Sequence, residues 1–146
     1  MLKKIIITAI ILIMSSGYAL AMDHSGHQMS MPKGKKIRTV MVEGFHLDYY
    51  LIDNAAEMKK NGLAMVAGMK SHHLMVYVTD TKGKMIANGK VGYLVSSADG
   101  TRQKVMTMAM NMGHGGDVEL KPGENRIKVK IIAGSRKIID EFTINR

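Results

Sequence analysis

NRIKVKIIAGSRKIIDEFTI, residues 125–144, is the stretch that decides the fold. Asn125 to Ile132 and Lys137 to Ile144 each alternate apolar with polar side chains for most of a strand's length, and Gly134-Ser135 stands between them. Successive side chains of a strand project to opposite faces, so this alternation marks a strand with one buried face. Two such runs around a short glycine turn read as a hairpin.

The same punctuation recurs upstream. His72 to Val78 ends at the turn Asp80-Thr81-Lys82-Gly83, and Lys90 to Ser96 ends at Ser97-Ala98-Asp99-Gly100. Lys104 to Met110 reads as one strand running into a glycine-rich loop, Gly113-His114-Gly115-Gly116, and Val118 to Leu120 stops at Pro122-Gly123. Val40 and Val42 open the series, and His46 to Ile52 continues it in a β-rich style. About seven short strands separated by turn chemistry predict an all-β fold, an immunoglobulin-like antiparallel β-sandwich. One interruption has helical character: Asn54 to Asn61 contains Ala55, Ala56, Glu57, Met58, Lys59 and Lys60, with Gly62 as its stop.

The chain begins Met1-Leu2-Lys3-Lys4, passes through an apolar run from Ile5 to Met14, and reaches Ala19-Leu20-Ala21. A basic start, a short apolar middle and a small-x-small site predict a signal peptide cleaved after Ala21 and export to the periplasm. The apolar run is too short to cross a bilayer as a helix, so no transmembrane span is expected after cleavage. No cysteine is present, which excludes disulfides, thiolate metal sites and lipoprotein anchoring. Residues 1–21 are therefore read as signal, 22–36 as a flexible leader, and 37–146 as one sandwich domain. The formal charge is +9, of which Lys3 and Lys4 belong to the signal. The remaining lysines read as spread over a solvated surface, with weak attraction to anionic lipid or an acidic partner protein as the minor reading, and the lack of an aromatic-interleaved basic patch argues against nucleic acid.

Methionine is the unusual component: there are 15, and all but Met1 and Met14 lie beyond the signal, while tryptophan is absent. Methionine is both a flexible core filler and a soft thioether ligand for Cu(I). Three places bring it together with histidine. Cleavage after Ala21 would free the amine of Met22, and that amine, the first backbone amides through Asp23 and the imidazole of His24 can form a square-planar nitrogen set suited to Cu(II) or Ni(II). His24, His27, Met29 and Met31 then fall within a short pliable tract, a composition that fits copper in either oxidation state. In the domain, Met106, Met108, Met110, Met112 and His114 alternate and would share one strand face; Met106 and Met108 are expected in the core, and Met110, Met112 and His114 to approach ligand positions. His72 and His73 open another strand and face opposite ways, so one of them can join that set, with Met65 and Met69 either closing over the site or packing. No nucleophile elbow, phosphate loop or His-Glu-x-x-His motif is present, so no catalytic role is expected.

The segments His72-His73-Leu74-Met75-Val76, Thr79-Asp80 and Met110-Asn111-Met112-Gly113-His114-Gly115-Gly116-Asp117-Val118 resemble small YtkA-like and FixH-like periplasmic β-sandwich proteins associated with heavy-metal handling. The likeness covers roughly 37–146. It implies an immunoglobulin-like fold and a role in copper homeostasis. The spaced His…Met…His-x-Met pattern of PCuAC-type chaperones is not matched, with His-x-Met assigned to the leader at His27-Gln28-Met29, and the mature terminus does not start with the histidine of CopC-type proteins. The expected function is non-catalytic copper sequestration or delivery, with a membrane metal transporter or periplasmic protein as partner. The rival reading is an interaction module docking on a membrane complex, its methionines serving only as core; metal-solute binding for a transporter is a third.

Overall fold

The computed structural model describes residues 34–146. In chain order they form β1 (Lys35–Val42), β2 (Phe45–Asp53), α1 (Asn54–Lys60), β3 (His72–Thr79), β4 (Lys90–Ser97), β5 (Arg102–Met106), β6 (Met108–Met110), β7 (Gly113–Val118), β8 (Glu124–Ala133) and β9 (Arg136–Asn145). Two antiparallel sheets face one another, one in the order β1-β2-β3-β7-β6 and the other β5-β4-β8-β9. The fold is thus an all-β sandwich with one short helix, as the alternation of the sequence requires.

The hairpin of 125–144 shows why the layers close. Ile127, Val129 and Ile131 of β8 are fully buried, whereas Arg126, Lys128 and Lys130 between them are exposed. Leu47, Tyr49, Leu74, Val76 and Val78 supply the opposing wall from β2 and β3. Each such side chain contributes about 1.5–3 kcal/mol on burial. The Tyr93 hydroxyl of β4 crosses the core to the carbonyls of Leu74 and His114, 3.2 Å from each. At one open side β1 and β9 are clasped by Arg38, whose Nε and Nη2 donate to the two oxygens of buried Asp140 at 3.2 and 3.0 Å. Helix α1 is capped at its start by Asp53, whose carboxylate accepts from the Ala56 amide, and Lys59 and Lys60 occupy the last turn.

Two expectations are corrected. Lys104 to Met110 is not one strand. It divides at Thr107, whose amide and hydroxyl both donate to the Val91 carbonyl, at 3.1 and 2.9 Å. Here the chain leaves the edge of the four-stranded sheet as β5 and joins the edge of the five-stranded sheet as β6. Met106 and Met108 consequently lie on the outer faces of different sheets, 75% and 72% exposed, and not in the core. The second correction concerns Gly113-His114-Gly115-Gly116, which is strand and not loop: it forms most of β7, paired between β3 and β6.

The β6–β7 connection is the two-residue turn Asn111-Met112, with φ of 48° and 66°. Two successive positive φ values match the right-handed strand twist, but the second position favours glycine. Met112 occupies it with a full side chain, at a cost of about 1–2 kcal/mol.

Candidate metal centre

The site is built on glycine. On the outer face of the five-stranded sheet, Met75 of β3 pairs with Gly115 of β7, and Gly115 pairs on its other side with Met108 of β6. One step along, His73 pairs with Asp117. Gly115 leaves a bare patch of backbone between two methionines, and the His73 and Met75 side chains lie across it. A Cβ at Gly115 would collide with both Met75 Sδ and His73 Nε2. Glycine weakens a strand interior, so its presence here fits a close approach by other groups.

His73 is held at its far nitrogen: Nδ1 lies 2.6 Å from Asp117 Oδ1. Assigning the proton of the neutral ring to this contact makes Nδ1–H the donor and leaves the Nε2 lone pair free. Nε2 lies 3.3 Å from Met75 Sδ. In that tautomer both atoms carry lone pairs and converge on one point above Gly115. A carboxylate behind an imidazole is the outer-shell arrangement that orients histidine ligands in metal sites. Met75 is 5% exposed and fixed among its neighbours, with the T-shaped Tyr50–Tyr77 pair alongside at a 5.6 Å ring separation. Met108 is free to turn. Its strand position lies two strand spacings, about 9.6 Å, from that of Met75, a gap that two unbranched side chains with three rotatable bonds each can close. Among the described residues no three His, Asp or Glu side chains form a metal-binding group; the donors that converge here include thioether sulfur.

The sequence-derived candidates are distributed differently from expectation. His73 faces outward into the centre. His72 faces the other way and is 7% exposed, with Nδ1 2.8 Å from the Ser71 hydroxyl; burial pushes its imidazole below the ordinary histidine range, with Arg146 acting in the same direction. His114 lies inside the sandwich at 2% exposure, and its Nε2–H donates to the Ile86 carbonyl at 3.2 Å. Met110 shares the outer face but pairs with Gly113, four residues along β7 from Asp117 and therefore about 13 Å from the level of His73. Met112 stands at the turn, 51% exposed. The alternating row Met106 to His114 does not share one face, because the sheet change at Thr107 and the Asn111-Met112 turn interrupt its register. Met65 and Met69 lie in the segment between α1 and β3, exposed and half-buried. The leader candidates Met22, Asp23, His24, His27, Met29 and Met31 fall outside the described residues.

Met75, Asp117, Met108 and Gly115 are the members that reading the sequence missed. A signal for the first existed: His73-Leu74-Met75 is itself a His-x-Met, and on a strand residues i and i+2 share a face. Assigning His-x-Met to the leader alone overlooked it.

No family model matches the chain, and no curated protein matches it. Solved structures share its fold. A DUF4426 family protein from Pseudomonas aeruginosa superposes with a TM-score of 0.55 at 10% identity, over 75% of this chain and 93% of that one. A copper-bound variant of Campylobacter jejuni P19 superposes with a TM-score of 0.53 at 13% identity, over 78% of this chain and 97% of that one. At these identities the likeness is one of fold. No helix among the described residues is long and apolar enough to cross a membrane.

Proposed function

We propose that this chain is an exported, periplasmic copper-binding protein that sequesters the ion or passes it on without catalysing a reaction, and that its domain holds Cu(I) at His73 and Met75 with Met108 as a third donor. The convergence of His73 Nε2 and Met75 Sδ, 3.3 Å apart over Gly115, carries the reading. With the nitrogen and sulfur bond lengths of protein zinc sites as a guide, about 2.0–2.1 and 2.3 Å, an ion bound by both would see them at about 100°, and the pair stands 3.3 Å apart without rearrangement. Thioether sulfur selects soft Cu(I) over hard cations. The copper-bound P19 variant adds that a sandwich of this kind can hold copper.

In this proposal the leader is a separate capture site, with Met22 and Asp23 supplying backbone nitrogens, His24 an imidazole, and His27, Met29 and Met31 further donors. A transporter or periplasmic acceptor would receive the ion. The division is tested by titrating copper, as Cu(I) and as Cu(II), into the exported chain and into a chain starting at Gly34, which keeps all of β1. The shorter chain is expected to retain one Cu(I) equivalent and to lose Cu(II) binding. Loss of Cu(I) binding on removal of the leader would overturn the domain site.

A further inference from the structure

The outer face of the four-stranded sheet, opposite the metal centre, gathers lysines that look scattered in the sequence. Lys104 of β5, Lys90 of β4, Lys128 and Lys130 of β8 and Lys137 of β9 all surround one hollow of about 590 Å³, and all five are exposed. Its floor is apolar: Leu94, Met106, Ile132 and Ile139 line it, with Met106 75% and Ile139 37% exposed. Among the described residues none of the five lysines takes part in an ion pair. The carboxylates near this face, Glu141 and Glu124, lie 3.7 and 4.0 Å from Arg126 instead.

We propose that this face docks the protein on an anionic phospholipid surface. Lys104 and Lys137 stand on the two edge strands of the sheet, three strand spacings across and four residues along from one another, about 20 Å apart and too far for one small anion to bridge. An extended plane of phosphate headgroups meets all five ammonium groups at once. The long lysine stems can lie along the apolar floor while their heads reach the phosphates, and exposed Met106 and Ile139 enter the headgroup boundary. Docking by this face turns the opposite sheet, with His73, Met75 and Met108, toward the aqueous phase. The inference is independent of the copper reading.

The test is cosedimentation of the exported chain with phosphatidylglycerol vesicles and with phosphatidylcholine vesicles. Each lysine near an anionic surface contributes a factor of about five, so a Lys104→Gln, Lys128→Gln, Lys130→Gln variant should partition about a hundredfold more weakly onto the anionic vesicles. A control with the same loss of charge elsewhere, Lys59→Gln, Lys60→Gln, Lys82→Gln, should lose less than about tenfold. Raised salt should release the parent. Equal partition of the parent onto both vesicle types would overturn the proposal and leave the face to an acidic protein. An equal fall in the two triple variants would overturn it as well, by showing attraction to net charge and not to this face.

Discussion

Adding one methyl group at Gly115 should separate the metal centre from the fold that carries it. The Cβ of a Gly115→Ala chain would overlap Met75 Sδ and His73 Nε2, so at least one of the two must withdraw. Both are far ends of side chains, and the backbone of β7 need not move. Overpacking of this kind costs about 1–3 kcal/mol, and relief of the glycine's conformational entropy returns about 0.5–1 kcal/mol. The net change runs from near zero to a loss of about 2.5 kcal/mol, a fall in Tm of up to roughly 10 °C for a domain of this size. Because the His73 ring is held by Asp117 at 2.6 Å, Met75 should be displaced, and Cu(I) affinity should fall about 10–100-fold, as for disturbed metal-site shells generally. Gly113→Ala is the matched control. Its Cβ would meet the Tyr77 ring at 2.8 Å on the same face of the same strand, so it should destabilise comparably and leave copper binding unchanged. Thermal unfolding and Cu(I) competition against a chromogenic chelator read the two effects separately. A Gly115→Ala chain with affinity within threefold of the parent, or a Gly113→Ala chain losing as much, would refute the reasoning.

Two further outcomes follow from the same geometry. Burial is the main cause holding the His72 imidazole below its ordinary 6.5, so the unfolded chain binds a proton that the folded chain refuses. Its contribution to stability is complete above about pH 6.5 and is lost as pH falls through the lower folded value; urea unfolding should show this loss, and His72→Gln should remove that part of the slope, while an identical slope in the variant would contradict the assignment. Met112→Gly should relieve the strain of φ +66°, partly offset by the freer unfolded chain, for a net gain between zero and about 1 kcal/mol; a loss above about 1 kcal/mol in chemical denaturation would show that Met112 is held by contacts that outweigh its backbone cost.

The sandwich was legible because most strands carry a period-two burial pattern, as Ile127, Val129 and Ile131 do. Helix α1 was legible from Ala55 to Lys60 with a glycine behind them. What misled was glycine in Gly113 to Gly116. Locally these residues signal a loop, whereas their smallness is required by non-local packing: Gly113 makes room for Tyr77, Gly115 for His73 and Met75, and Gly116 for Val105. Periodicity also fails to register a strand that changes sheets, so Met106 and Met108 kept a buried-looking rhythm while both emerged into solvent. For the centre, the opposite facing of His72 and His73 could be read from the sequence. The cross-strand members could not, because register between β3 and β7 brings Asp117 to His73 and Gly115 to Met75, 44 and 40 positions away in the chain. The alternating row pointed to His114, which the fold uses as a core residue hydrogen-bonded to Ile86.

The central claim, that His73 and Met75 together hold the ion, is tested most directly by Cu(I) competition titration of the chain starting at Gly34 against its His73→Phe, Met75→Leu variant. Met75→Leu nearly conserves volume and should cost under about 1.5 kcal/mol, so a folded comparison is available. One Cu(I) equivalent in the parent, weakened at least a hundredfold in the variant, is the result expected. Equal stoichiometry and affinity in both chains would contradict it.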